Sequence, residues 1–156
     1  MNREEKLIIV AGPTASGKTT CAINLAKRIN AVLINTDSRQ VYKFMDIGTN
    51  KGIITPKDNV INVKGNDGRK LQIREYEIEK SGVSGYMFDI VRPNESFTLS
   101  DFQYLATYLI KHFNKVNQRM IFVGGTGLYI DALVKNTKLP EVQPNDEMRN
   151  KLQKLS

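Results

Sequence analysis

The stretch GPTASGKTT, Gly12 to Thr20, separates the apolar run LIIVA (Leu7 to Ala11) from the helix-like run CAINLAKRIN (Cys21 to Asn30). Gly12, Gly17, Lys18 and Thr19 satisfy the spacing G-x-x-x-x-G-K-[ST]. Each residue type has a chemical reason. Glycines let backbone N–H groups turn inward around anionic oxygens. The start of the following helix adds partial positive charge. Lys18 reaches a distal phosphate, the Thr19 hydroxyl is placed to ligate Mg²⁺, and Thr14 and Ser16 are further donors. Gly12, Pro13, Thr14, Ala15, Ser16, Gly17, Lys18 and Thr19 are therefore the expected binders of a di- or triphosphate group. The motif does not say which molecule carries that group.

Working outward, LIIVA reads as a buried strand and Lys18 to Ile29 as the helix after it. AVLINTD gives a second buried strand ending at Asp37, and SRQVYKFMDIGTNKG has loop character. VINVKGNDGRKLQI carries two β-prone arms around Gly65-Asn66-Asp67-Gly68, which predicts a hairpin within an insert of about 53–84. YMFDIVRP reads as a short strand stopped by Pro93. Thr98 and Asp101 fit a capping box, and Phe102, Leu105, Ala106, Leu109, Ile110, Phe113 and Val116 recur at helical spacing. His112 falls off that face and is expected in solvent. MIFVGG is a further buried strand, TGLYIDALV a helix, and a polar helix begins near Asp146. Strands alternating with helices predict an α/β fold of P-loop NTPase type, a parallel sheet with helices on both faces. Ligands in such sheets bind at the carboxyl ends of strands. The phosphate loop, Asp37 and Gly124-Gly125-Thr126 all fall there.

The 156 residues suit one domain, here a single P-loop-type core spanning 1–156. A formal charge of +7 favours polyanionic partners without proving one. The single cysteine, Cys21, excludes an internal disulfide, and its place in the first helix suggests a small buried apolar residue. With one histidine, His112, no Cys/His metal site can assemble. No signal peptide or long apolar span is present, so the expected compartment is cytoplasmic, with no membrane association.

Asp37 lies in DSRQVY, where polar and aromatic residues crowd together. That suggests recognition of a second substrate, with Asp37 as general base, more than a plain metal site. A small-molecule or nucleotide kinase is one reading. A non-catalytic phosphate-binding core is another.

Four stretches together resemble the tRNA dimethylallyltransferase (tRNA isopentenyltransferase) family: GPTASGKT (12–19), INTDSRQVYKFMDIGTNK (34–51), FDIVRPNESFTLSDF (88–102) and GGTGLYIDALV (124–134). The first is generic; the second and fourth are far more specific. The resemblance implies that the loop holds the diphosphate of dimethylallyl diphosphate, with Mg²⁺ as cofactor. It implies prenyl transfer to N6 of the adenosine 3′ of the anticodon, so that tRNA, held by its anticodon arm, is the partner. Asp37, Lys18, Thr19 and Thr126 would then be catalytic. Asp37, Ser38, Arg39, Gln40, Thr126 and Arg149 would contact tRNA, and Thr19 would be the metal ligand. A relative that prenylates free adenine nucleotides is a further alternative. Family members are about twice as long, and this chain stops where their helical insertion begins. The resemblance therefore also implies an incomplete core, with a sheet edge open to a partner or to self-association.

Overall fold

A computed structural model describes residues 6–135 and Lys151. Arg149 and the polar helix expected near Asp146 lie outside those residues, Lys151 excepted, which is helical. The elements follow the chain as β1 (Ile8–Ala11), α1 (Lys18–Ile29), β2 (Ala31–Asn35), β3 (Ile54–Lys64), β4 (Lys70–Ile78), β5 (Val83–Tyr86), α2 (Leu99–Lys115), β6 (Arg119–Gly124) and α3 (Gly127–Val134). The six strands form one sheet in the order β1-β6-β2-β5-β4-β3.

The sheet is mixed rather than wholly parallel. β1, β6, β2 and β5 run parallel, whereas β4 pairs antiparallel with both β5 and β3. The reason is the length of the connections. Parallel strands need a long crossover, which α1 supplies between β1 and β2 and α2 between β5 and β6; Gly65 to Arg69 can return the chain only antiparallel. Gly65 N–H donates to the Arg69 carbonyl at 2.8 Å and Gly68 N–H to the Gly65 carbonyl at 3.0 Å, closing that turn. β3 is an edge strand, guarded by Pro56, Lys57 and a register shift between Pro56 and Val60.

Alternation along the strands splits the apolar residues between two faces. Val32, Ile34 and Phe122 pack with Phe102, Leu105, Leu109 and Tyr129 of α2 and α3. Leu33, Ile121 and Val123 pack with Ala22, Ile23 and Ala26 of α1. Helices thus cover both faces. α2 starts at Thr98 with a reciprocal capping box to Asp101. Its apolar stripe is buried at Phe102, Leu105, Ala106, Leu109 and Phe113, but Val116, the C-cap, is 65% exposed. His112 is half-buried rather than solvated, stacked on Tyr108 and edge-on to Phe113. Cys21 is exposed, because α1 turns Ala22, Ile23 and Ala26 toward the sheet instead.

The strand expected at YMFDIVRP lies earlier, at Val83–Tyr86. Met87 and Asp89 take positive φ, 70° and 51°, which breaks strand geometry just after Tyr86. Met87, Phe88, Ile90 and Val91 are nonetheless buried. The apolar run is an irregular core segment, and only Val91 makes a bridge, to Tyr42.

The hairpin is tied to the core by polar side chains. Arg69 pairs with Asp67, reaches Asp101 at 3.1 Å and donates to the Ser96 carbonyl at 2.9 Å. Glu75 accepts from Lys57 at 2.9 Å, Ser84 at 2.6 Å and Asn59 at 2.9 Å. Burial alone would raise the Glu75 carboxyl, but these donors and the Tyr86 hydroxyl outweigh it and hold it at about 2.

A folded-state value below the ordinary 4.5 means that Glu75 stabilises the fold above that pH and loses the contribution as pH falls toward 2. The effect is at most about 3 kcal/mol. Urea unfolding of the wild type should therefore show stability falling between pH 5 and 2. Glu75→Gln should be less stable at pH 7 and show a shallower acid slope. Equal slopes would remove Glu75 from the acid response.

Candidate active site

The strand order places β6 between β1 and β2, so three parallel strand ends deliver their loops side by side. β1 leads into the phosphate loop, β2 into Asp37, and β6 into Gly124-Gly125-Thr126. The middle exit must be thin. A Cβ on Gly124 would stand 2.6 Å from the Thr36 carbonyl carbon and 2.9 Å from the Asp37 nitrogen. A Cβ on Gly125 would stand 3.1 Å from the Gly12 carbonyl oxygen. The two glycines therefore do more than turn the chain: they let the β2 exit and the phosphate loop close on β6 from either side. The Thr36 hydroxyl, buried beside Gly124, has no hydrogen-bond partner among the described residues.

The phosphate loop itself is shaped by left-handed backbone at Ala15 (φ 63°) and Gly17 (φ 78°). Ser16 N–H donates to the Pro13 carbonyl at 3.3 Å. Gly17 caps α1 without any side-chain hydrogen bond, and the first helical turn carries no acidic residue. The helix start thus keeps its positive end for an external anion. Lys18 Nζ donates to the Pro13 carbonyl at 2.9 Å, which holds the ammonium over the loop. Thr14 and Ser16 are exposed, whereas Lys18 and Thr19 are half-buried.

Asp37 is positioned through Asn35, a residue that sequence reasoning missed. Asn35 is 2% exposed. Its amide donates to the Met87 carbonyl at 3.0 Å and the Asp37 carbonyl at 3.3 Å, and its oxygen accepts from Asp37 N–H at 3.1 Å. Asp37 Oδ1 accepts from Arg39 N–H at 2.9 Å, an Asx-type turn that fixes the carboxylate's direction. Thr126 Oγ1 accepts from Ser38 N–H at 3.0 Å and lies 3.3 Å from the Ser38 hydroxyl, linking the β6 exit to the β2 exit. Tyr129 is stacked on Phe102. Burial, with nearby Tyr42, Asp101 and Asp37, pushes its phenol up to about 12.

Thr14, Lys18, Thr19, Asn35, Asp37 and Gln40 line one cleft. Of the expected site residues, the structure therefore gathers Thr14, Lys18, Thr19, Asp37 and Gln40 directly, with Ser38 and Thr126 bonded beside them. Arg39 is exposed. Gln40 also donates to the Thr49 and Asn50 carbonyls at 3.1 and 3.0 Å. Lys51, which the sequence reading passed over as loop, is buried against the same cleft. Its Nζ donates to the Tyr42 carbonyl at 3.0 Å and to Asp46 and Asp89 at 2.7 Å each. Asp46 is near in the sequence, but the burial of that lysine depends on Asp89, far along the chain. Among the described residues no cluster of three or more His, Cys, Asp or Glu is present. A divalent cation here would have the Thr19 hydroxyl as an oxygen donor and would complete its shell with ligand oxygens and water. No described helix is long and apolar enough to cross a membrane.

A sequence model described as IPP transferase (IPPT) matches residues 74–156, just over half of the chain. The tRNA dimethylallyltransferase of Acaryochloris marina is 40% identical over 147 residues, covering 94% of this chain and 41% of that protein. That of Anoxybacillus flavithermus is 40% identical over 152 residues, covering 97% and 42%. Among solved structures, the full-length tRNA isopentenylpyrophosphate transferase of Bacillus halodurans superposes with a TM-score of 0.68 at 35% identity, covering 97% of this chain and 43% of that one. A eukaryotic dimethylallyltransferase captured acting on tRNA gives 0.60 at 26% identity, covering 86% and 30%. The chain thus spans about two-fifths of the curated relatives it matches.

Gly124→Ala should disrupt both the fold and the cleft, because the added methyl meets backbone that cannot move aside. A stability loss of about 2 kcal/mol or more is expected in urea unfolding. Asn35→Ala should cost about 1–3 kcal/mol through stranded buried carbonyl and N–H groups. Wild-type stability in Gly124→Ala would show that the β6 exit is not tightly held.

Proposed function

Because this chain belongs to the IPP transferase family, we propose that it forms the diphosphate-binding core of a tRNA dimethylallyltransferase. The proposed reaction moves a dimethylallyl group from dimethylallyl diphosphate to N6 of the adenosine 3′ of the anticodon. The observation that carries this reading is the shared cleft: Lys18 and Thr19 of the phosphate loop and the Asp37 carboxylate line it together. A plain phosphate-binding module has no need of an aspartate whose backbone is fixed there by a buried asparagine and whose carboxylate is aimed by Arg39 N–H.

The chemistry divides between the two sides of the cleft. The bond between prenyl C1 and the diphosphate oxygen breaks, and its electron pair leaves with the diphosphate. Loop N–H groups, the α1 terminus and the Lys18 ammonium would stabilise that growing charge. The adenosine N6 supplies the electron pair for the new C–N bond. Asp37 would accept the N6 proton, with its direction set by Arg39 N–H and Asn35. Ser38, Arg39, Gln40 and Thr126 would meet the RNA around the target base, which must leave its stack to enter. Mg²⁺, held by Thr19 and the diphosphate, would neutralise the leaving group. Arg149 is proposed for RNA contact by resemblance alone. The single-domain organisation, a cytoplasmic location and self-association through an open sheet edge belong to the same proposal.

Two measurements test the reading. Dimethylallyl diphosphate should raise the melting temperature more than ATP does at equal concentration, since a ligand of the native state stabilises it. With Mg²⁺ and an anticodon stem-loop, label from the prenyl diphosphate should appear on adenosine. Asp37→Ala should cut that transfer roughly 100-fold or more. Undiminished transfer in Asp37→Ala would overturn the assigned base. Transfer by a longer protein but not by this chain would make it a binding core only.

A further inference from the structure

Phe44 lies in the loop between Asp37 and Lys51 and is 81% exposed; Ile47 beside it is 97% exposed. Scattered exposed apolar residues are ordinary. Phe44 is not, because its backbone φ is 64°. A bulky aromatic residue in left-handed backbone stores strain that glycine would avoid. Here the strain returns no burial for the ring.

The loop is also firmly held. Gln40 Nε2 bonds the Thr49 and Asn50 carbonyls, the Thr49 hydroxyl donates to the Met45 carbonyl at 2.6 Å, and buried Lys51 clamps the Tyr42 carbonyl and Asp46. Clamps on both sides of Phe44 present its ring on a fixed support. Three of the residues involved, Gln40, Asn50 and Lys51, line the cleft that contains Asp37. Arg39 and Lys43 lie on the same loop, in a chain of formal charge +7.

The geometry points to Phe44 as a stacking platform for an unpaired nucleobase of the RNA whose target base enters the cleft. An aromatic face on rigid support amid positive charge is the usual means of holding single-stranded nucleic acid. A base drawn out of its stack leaves a neighbour with one face uncovered, and Phe44 offers a replacement for the lost partner. The inference rests on the RNA-modifying reading above and adds a contact outside the reacting residues.

The probe is a fluorescein-labelled RNA hairpin with adenosines in its unpaired loop, titrated with the whole chain and followed by anisotropy. Phe44→Ala should weaken binding roughly 5- to 150-fold. Phe44→Tyr, which keeps the ring, should bind as wild type does; Phe44→Leu, which keeps bulk without a ring, should bind like the alanine variant. Phe44→Gly relieves the left-handed strain, so it should melt no lower than wild type yet bind RNA weakly, which separates contact from folding. The chain contains no tryptophan, so the emission of Phe44→Trp reports on this site alone and should be quenched by the RNA. Wild-type binding with an equally tight Phe44→Ala variant overturns the platform and leaves the RNA reading standing. Failure of the wild type to bind the hairpin overturns both. A change in mass by light scattering in Phe44→Ala, with RNA affinity intact, would assign the patch to self-association and likewise overturn the inference.

Discussion

The close approach of the β6 exit to its two neighbours is the constraint on which the site depends. Parallel strands lie about 4.8 Å apart, so loops leaving adjacent strands compete for space. Gly124 and Gly125 resolve that competition by contributing no side chain where Thr36, Asp37 and Gly12 pass. Thr126 then returns a hydroxyl to Ser38 N–H and joins the exits of β6 and β2. The phosphate loop on β1 and the acid after β2 leave non-neighbouring strands, and the side-chain-free β6 exit between them lets them close on one cleft.

A second layer of polar side chains holds the approach to that cleft. Taking the Lys51 ammonium out of water costs several kcal/mol unless it is well paired. It is paired with the Tyr42 carbonyl and Asp46 from its own loop and with Asp89 from a distant part of the chain. The arrangement joins loop 38–51 to the irregular core segment around Asp89. Asn35 does the same for Asp37 by reaching the Met87 carbonyl. Both anchors end on residues 87–89, where positive φ values break the strand. That irregularity, which defeats a simple strand reading, is also what frees a carbonyl and a carboxylate to serve the site.

The hairpin extends the sheet away from the cleft. Its basic residue Arg69 is committed to Asp67, Asp101 and the Ser96 carbonyl, so it braces the start of α2. Glu75 is satisfied by donors on β3 and β5. The hairpin therefore serves the fold through internal pairing, on the side of the sheet remote from β1.

Features governed by near neighbours in the chain were legible before any coordinates. Gly12, Gly17, Lys18 and Thr19 specify their loop through backbone freedom and spacing. Thr98 and Asp101 specify a helix start, and Gly65 to Gly68 a turn, because each involves partners only a few residues apart. Other readings failed for the opposite reason. Cys21 was expected inside, but α1 offers apolar residues on more than one stripe and the sheet selects Ala22, Ile23 and Ala26. The strand was expected at YMFDIVRP instead of VSGY; a glycine weakens a strand signal, yet Gly85 is needed there because a Cβ would stand 2.6 Å from Ile78 Cδ1. The residues that fix the site's geometry, Asn35, Lys51 and the Gly124 contact, act across 50 or more intervening residues in the first case and through sheet order in the last. Sequence alone determined the kind of chemistry, since phosphate loops and caps are local physics. Only the tertiary structure decided where that chemistry meets its carboxylate, since burial and strand order are properties of the packed whole.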